Sequence, residues 1–119
     1  MPYVDGFVVA VPKSKLAEYK RWARVGARIW KEHGALSYVE CVADDVPVGK
    51  VTSFTKAVQL KRGETVVFSW ITYRSRRHRD AVNKKVMADR RLEEQMDTTK
   101  APFDAKRMIY GGFKSMIEA

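Results

Sequence analysis

Glu40 is the residue of this sequence best suited by type and position to acid–base chemistry. It precedes Cys41 in a strand-like stretch, and successive strand residues point to opposite faces, so at most one of the two faces a cavity between sheet and helices. A carboxyl group in such a cavity has a raised pKa and can act as a general base. The alternative is a glutamate at a sheet edge or dimer interface, paired with an arginine. We interpret Cys41 as a small buried hydrophobic residue, since no feature nearby in the sequence would stabilise a thiolate.

Two histidines offer a second source of proton transfer. His33 precedes Gly34 at the end of a predicted helix. A protonatable ring there interacts favourably with the last carbonyl groups and with the negative end of the helix dipole, so we interpret His33 as a capping residue. His78 lies four residues before Val82, and the spacing allows it to share the helix face turned to the sheet. It is therefore a candidate acid or base in a cavity, with a core or edge position as the alternative.

The arginines that precede and open a second predicted helix are an unusual local feature. Cations there oppose the helix macrodipole, which a bound anion such as phosphate or a nucleic-acid backbone would offset. The alternative is a solvated surface with Asp80 as a partial partner. The net charge is +9, and residues 74–91 carry eight Lys or Arg against two Asp. The anion-binding candidates are Arg74, Arg76, Arg77 and Arg79.

A charged pair near the C-terminus offers a further candidate for ligand binding. Asp104 comes just before Arg107 and could orient it towards an anionic group of a ligand. The alternative is a turn cap and a salt bridge that hold the last strand. Both residues are therefore pocket candidates with a structural alternative.

The sequence predicts no metal and no cofactor. Cys41 is the only cysteine, so neither an intramolecular disulfide nor a thiolate cluster is available. Asp44 and Asp45 lack the spaced acidic ligands of a calcium loop and predict a solvated turn. The longest uncharged run, Thr65 to Tyr73, is too short to span a bilayer, so we expect a cytoplasmic protein without membrane contact.

Hydrophobic periodicity predicts one α+β domain over residues 1–119. The order is β-α-β-(β)-β-α-β, whose β-α-β-β-α-β core is the ferredoxin-like plan: an antiparallel sheet with two helices on one face. The predicted strands are Tyr3–Val11, Leu36–Ala43, Glu64–Tyr73 and Lys106–Ile117, the third being the best central strand. The extended pattern of Val51–Leu60 predicts a loop or a hairpin strand. One predicted helix runs from an N-cap at Ser14 to Gly34, and a second runs from a cap at Ser75 to about Ala88, with a further helical piece through Met96.

Both faces of the predicted central strands are apolar. In the first strand Phe7 and Val9 alternate with Val8 and Ala10, where a sheet with one face in water would place polar residues. Two helices cover only one face. We therefore expect a homodimer that buries the second face of each sheet against its copy, with cover by the loop around Asp44 and the C-terminal tail as the alternative.

Seven segments spread along the chain carry a resemblance to a known family. They are YVDGFVVAVP from Tyr3, VEC from Val39, DVP from Asp45, GKVT from Gly49, VVFSWI from Val66, PFD from Pro102 and KRMIYGGF from Lys106. These segments resemble the YbaA-like family of uncharacterised bacterial proteins. The resemblance covers nearly the whole chain and implies a dimeric α/β-barrel fold. The sequence departs from the family pattern at Ala105, where a glycine is usual, and in the density of arginine from 74 to 79.

The resemblance extends to a fold superfamily that includes monooxygenases and isomerases with a pocket between sheet and helices. It implies a small-molecule-binding protein or a cofactor-independent enzyme, with Glu40, Trp70, His78 and Tyr110 as candidate pocket residues. The sequence does not decide whether the protein is an enzyme. One alternative is binding of nucleic acid or another polyanion through the Arg74–Arg91 face, for which no recognition motif is present. The other is a protein-interaction dimer without chemistry of its own.

Overall fold

The computed structural model describes residues 2–97 and 99–119. Four strands form one antiparallel sheet in the order β2-β3-β1-β4. The strands are β1 (Tyr3–Pro12), β2 (Ser37–Val42), β3 (Glu64–Tyr73) and β4 (Ile109–Lys114), and the helices are α1 (Leu16–Glu32), the single turn α2 (Phe54–Ala57), α3 (Arg76–Met87) and α4 (Arg90–Gln95). The predicted α+β ferredoxin-like class is confirmed, with β3 and β1 as the two central strands. Of the helices in the described residues, none is long and apolar enough to cross a membrane.

The helices α1, α3 and α4 cover one face of the sheet, which we call the helical face. Ile29 of α1, Val82 of α3 and Leu92 of α4 join one core cluster with Ile71 and Tyr73 of β3. A second cluster places Tyr19 and Ala23 of α1 against β1 and β3. The apolar stripe of α1 and the odd-numbered residues of the central strands therefore form the main core.

The opposite face, which we call the open face, is covered at one end only. Val58 is fully buried there against Val8, Ala10 and Val66. Of the two alternatives for Val51–Leu60, the structure shows the loop and not the hairpin strand, and Val58 and Leu60 pack over the sheet instead of joining it. The backbone instead turns through α2, where the Ser53 side chain accepts a hydrogen bond from the Lys56 N–H.

Two further expectations about element ends are corrected by local hydrogen bonding. Ser14 does not cap α1, because residues Lys13–Lys15 form a 3₁₀ turn after Pro12 and the helix begins at Leu16. The last strand is shorter than expected, since a 3₁₀ turn capped by Asp104 takes up Ala105–Arg107. The predicted cap at Ser75 is confirmed, and its hydroxyl oxygen accepts from the His78 N–H at 3.1 Å.

Candidate functional site

A cavity of about 360 Å³ lies between the helical face of the sheet and the elements that cover it. Its walls come from β1, β2 and β3, from α1 and α4, and from the segment 101–110 that leads into β4. Met96 and Tyr110 line it although they are 62% and 74% exposed, which places them at its mouth. The volume falls in the range of small-molecule sites. The aromatic walls include Phe7, Tyr19, Trp22, Trp30, Tyr38 and Phe103.

Glu40 reaches this cavity because of the strand alternation of β2. Its Cα pairs with Ser69 of β3, and Tyr38, two residues earlier, pairs with Ile71, so both side chains share the helical face. Cys41 pairs with Phe68 and points to the open face. The expectation that at most one of Glu40 and Cys41 faces the cavity is therefore confirmed.

Two tyrosines hold the Glu40 carboxyl group, one on each oxygen. The hydroxyl of Tyr19, on α1, donates to Oε1 at 2.7 Å, and the hydroxyl of Tyr38 donates to Oε2 at 2.9 Å. Burial raises the pKa of Glu40, and hydrogen bonds from these tyrosines and from Ser69 lower it by less. The glutamate is thus held by neutral hydroxyl groups and not by the arginine that the structural alternative required.

The two tyrosines remain hydrogen-bond donors across the ordinary pH range. Burial, and next the adjacent Glu40 charge, raise the pKa of both Tyr19 and Tyr38. Glu40, whose raised pKa favours uptake of a proton, is then the group of this cluster suited to proton exchange. Such an arrangement can accept a proton from a bound molecule, because burial favours the neutral carboxyl form while the tyrosine hydroxyls orient the carboxylate.

A glycine in α1 makes room for this cluster. A Cβ atom at Gly26 would lie 3.3 Å from the Tyr38 hydroxyl oxygen, closer than an unstrained contact. Because Gly26 is buried within the helix, the missing side chain lets the Tyr38 ring approach α1. The helix thus forgoes some intrinsic stability at a position that shapes the cavity.

The sequence matches one known protein family over most of its length. Residues 2–105 match the family described as "Protein of unknown function (DUF1428)". The chain belongs to the DUF1428 family. It is 55% identical over 118 residues to the uncharacterised protein YbaA of Escherichia coli strain K12 and to that of Shigella flexneri, and each alignment covers 99% of both chains. The predicted family resemblance is confirmed.

Two solved structures share the fold at low sequence identity. An uncharacterised NIPSNAP domain protein from Burkholderia xenovorans is similar with a TM-score of 0.56 and 13% identity, covering 96% of this chain and 94% of its own. Rv0793 from Mycobacterium tuberculosis is similar with a TM-score of 0.55 and 12% identity, covering 100% of this chain and 99% of its own. Likeness at this identity shows the fold and gives no specific activity.

Only two of the four predicted pocket residues of this DUF1428 protein lie together. Glu40 and Tyr110 both line the cavity. Trp70 pairs with Val39 and Gly6 on the open face, so the sheet separates it from Glu40. His78 lies at the first turn of α3, outside the cavity lining, where its Nδ1 accepts from the Arg74 N–H at 3.0 Å. Burial, and next the Arg74 charge, lower the pKa of His78.

The pair Asp104 and Arg107 is placed outside the cavity lining as well, in a charged cluster. Arg107 donates to both carboxylate oxygens of Glu64, with Nη1 at 2.8 Å from Oε1 and Nη2 at 2.6 Å from Oε2. Asp104 accepts from Arg107 Nε at 3.1 Å. Arg107 also donates to the carbonyl groups of Val58 and Gln59, so the arginine ties the loop under the open face to β3. These contacts correspond to the structural alternative for this pair.

The arginines around the start of α3 have different surroundings. Arg79 donates to the Tyr3 hydroxyl at 3.0 Å and lies 3.8 Å from the buried Asp5 and 3.3 Å from Asp80. Arg76 also lies near Asp80, at 3.8 Å. Arg74 and Arg77 are exposed. The protein's own carboxylates therefore occupy part of the predicted anion site, and anion binding there stays a prediction.

The remaining sequence candidates lie elsewhere on the surface. Cys41 is exposed on the open face, so the interpretation of a buried residue is wrong. His33 follows the end of α1 as expected, and its Nε2 lies 2.8 Å from Asp89 Oδ2, which joins α1 to the start of α4. Within residues 2–97 and 99–119, three or more potential metal-ligating side chains do not converge, the turn at Asp44 included.

Tyr19, Tyr38 and Ser69 are the site residues that sequence reasoning missed. Tyr38 and Glu40 occupy alternate positions of one strand, a spacing that places two polar groups on one face. Tyr19 belongs to the apolar stripe of α1, and its position in that stripe by itself indicates a core residue. Its hydroxyl group becomes a site feature only when α1 packs against β2, 21 residues away.

Proposed function

We propose that this protein binds a small molecule in the cavity of the helical face, with Glu40 as the group that accepts or exchanges a proton with it. The observation that carries the proposal is a carboxyl group with neutral partners inside an aromatic cavity of about 360 Å³. A purely structural glutamate would more often be paired with a cation, as Glu64 is. The same geometry serves a binding protein and a cofactor-independent enzyme that begins with proton abstraction.

Native mass spectrometry of gently purified protein, before and after denaturation, tests the binding step. A reproducible extra mass that is released on denaturation would identify a ligand. The matched variants are Ala101→Trp, which fills the cavity from its wall, and Ala88→Trp at an exposed position outside the lining. We expect the extra mass to be lost only in Ala101→Trp. Equal retention in both variants would place the ligand elsewhere and contradict the proposal.

We further infer that two copies of the chain associate through their open faces. Phe68, Ile109 and Phe113 are 41%, 45% and 64% exposed on this face. The positions that point to it from 4–10 of β1, 37–41 of β2, 66–72 of β3 and 109–113 of β4 carry no charged side chain. On a chain of net charge +9, an uncharged apolar face of this kind suits a copy of itself, because a two-fold axis lets one patch cover another.

A charged substitution on the open face tests the dimer. We expect Phe68→Glu to shift the protein to a monomer in native mass spectrometry and in sedimentation, because each interface would bury two unpaired carboxylates. Val25→Glu is the matched control, since Val25 on α1 is also 41% exposed but lies on a helix. A wild-type monomer at micromolar concentration, or equal effects of both substitutions, would contradict the inference.

A further inference from the structure

The described residues that line the cavity include no cationic side chain, and this limits what the cavity can hold. Glu40 and the tyrosines are the titratable side chains among its lining residues, and within the described chain no Lys, Arg or His side chain lines it. A bound carboxylate or phosphate would therefore face the Glu40 carboxyl group without a cation to offset either charge. Burying an uncompensated anion beside a carboxylate is strongly unfavourable.

The surroundings of Glu40 also distinguish a neutral ligand from a cation. Both carboxyl oxygens already accept a tyrosine hydroxyl, and Ser69 supplies a further hydrogen bond. Of the about four lone-pair sites of a carboxylate, one is left for a donor from the cavity side. The net charge of +9 repels a cation that approaches from solution. A neutral hydrogen-bond donor meets neither the repulsion that Glu40 exerts on an anion nor the repulsion that the net charge exerts on a cation.

The aromatic walls of the cavity determine what kind of group suits the part of the ligand that does not contact Glu40. Trp22 and Phe103 pack edge to face with ring centroids 5.0 Å apart, and Trp30 and Tyr38 lie 6.3 Å apart on the other side of Gly26. Met87 and Met96, whose side chains are adaptable, lie at the exposed end. Aromatic rings offset or edge-on to these walls gain more than their buried area alone.

We propose that the ligand is a neutral aromatic molecule with a hydroxyl group that donates to Glu40, and that the site excludes anions. This inference rests on the proposed function of the same cavity and adds the substrate class to it. The hydroxyl group of such a ligand donates the remaining hydrogen bond to the Glu40 carboxyl group. The rings of the ligand fill the space between α1 and the segment before β4. Glu40 is then placed to take the hydroxyl proton.

Isothermal titration calorimetry at about pH 7 with three probes of one size tests the proposal, because phenols stay protonated there. The probes are 2-naphthol, its methyl ether 2-methoxynaphthalene, and 2-naphthoate. We expect 2-naphthol to bind about tenfold more tightly than the ether, which lacks the donor, and 2-naphthoate to bind at least about tenfold more weakly than 2-naphthol. Glu40→Gln should reduce the preference for naphthol over its ether, and Cys41→Ser, on the opposite face of the same strand, should keep it.

The outcomes separate this inference from the proposed function. If 2-naphthoate binds as tightly as 2-naphthol, or if naphthol and its ether bind equally, the substrate class is wrong although the cavity binds small molecules. A naphthol preference that Glu40→Gln leaves unchanged, in a variant with the wild-type circular dichroism spectrum, would also overturn it. If none of the probes binds and purified protein carries no extra mass, the proposed function itself fails.

Discussion

Two glutamates of the same sheet, Glu40 and Glu64, differ in what holds them. Glu40 meets hydroxyl groups from two other residues, and burial raises its pKa. Glu64 meets the guanidinium group of Arg107 through both oxygens, and this pair lowers its pKa. A carboxylate paired with arginine is held ionised, whereas one surrounded by hydroxyls can still take up and release a proton. Glu64 therefore belongs to the structural framework, whereas Glu40 is suited to a functional site.

The largest expected effect is the loss of the arginine partner. Arg107→Met should lower the free energy of unfolding by about 2–4 kcal/mol, because it leaves Glu64 and two backbone carbonyls without their donor. Lys106→Met, at the exposed neighbouring position, should change it by less than about 0.5 kcal/mol. Urea unfolding at neutral pH measures both variants. An equally small effect in Arg107→Met would show that the pair does not hold the framework.

Removal of one tyrosine donor should have an intermediate effect. We expect Tyr19→Phe and Tyr38→Phe each to destabilise the protein by about 1 kcal/mol, because each variant leaves one Glu40 oxygen with a partner fewer. Each should also raise the pKa of Glu40 further, which a carbon-13 NMR titration of the carboxyl group would detect. Tyr110→Phe, at the exposed mouth, is the control and should leave that pKa unchanged. Equal titration curves in all three variants would argue against the cluster.

The smallest expected effect is a difference in pH dependence. The folded-state pKa of Glu40 is raised, so the unfolded chain releases this proton first and stability falls as pH rises from about 4.3 through the folded pKa. Glu64 has a lowered pKa and acts in the opposite sense, since its contribution is lost as pH falls below about 4.3.

Unfolding of two variants across pH separates these contributions. Relative to wild type, Glu40→Gln should gain stability as pH rises above about 4.3, whereas Glu64→Gln should lose stability as pH rises towards about 4.3 from below. Thermal unfolding between about pH 2 and pH 8 measures both differences, because the two effects lie on opposite sides of the unfolded-state pKa. The comparison would be contradicted if both variants diverged from wild type in the same direction.

Much of the fold could be predicted from local patterns, and the errors share one cause. The ends of β3 match the prediction, and the Ser75 cap of α3 forms as expected, because both depend on nearby residues. The pattern from Val51 to Leu60 left a loop and a hairpin strand open, and in the structure Val58 and Leu60 of this loop cover the sheet. Alternation within a short apolar run cannot distinguish a residue that pairs in a ladder from one that packs over it.

The candidate site shows the same division between local and distant information. Glu40 could be identified because strand alternation lets its carboxyl group face a cavity when Cys41 faces away. Trp70 was grouped with it, but the strand register places the tryptophan on the other face of the sheet. The role of Tyr19 could not be predicted, because the helix pattern does not show what a hydroxyl group at the end of a buried ring meets.

The sequence by itself determined the order of the elements, the opposite directions of Glu40 and Cys41, and the apolar character of both sheet faces. These properties follow from side-chain periodicity along one segment. Only the tertiary structure decided that Glu40 turns to the helices, that Tyr19 on α1 donates to it, and that Arg107 pairs with Glu64 at a separation of 43 residues. Each depends on packing between distant segments, which buries the carboxyl group and so gives it the raised pKa on which the proposed chemistry rests.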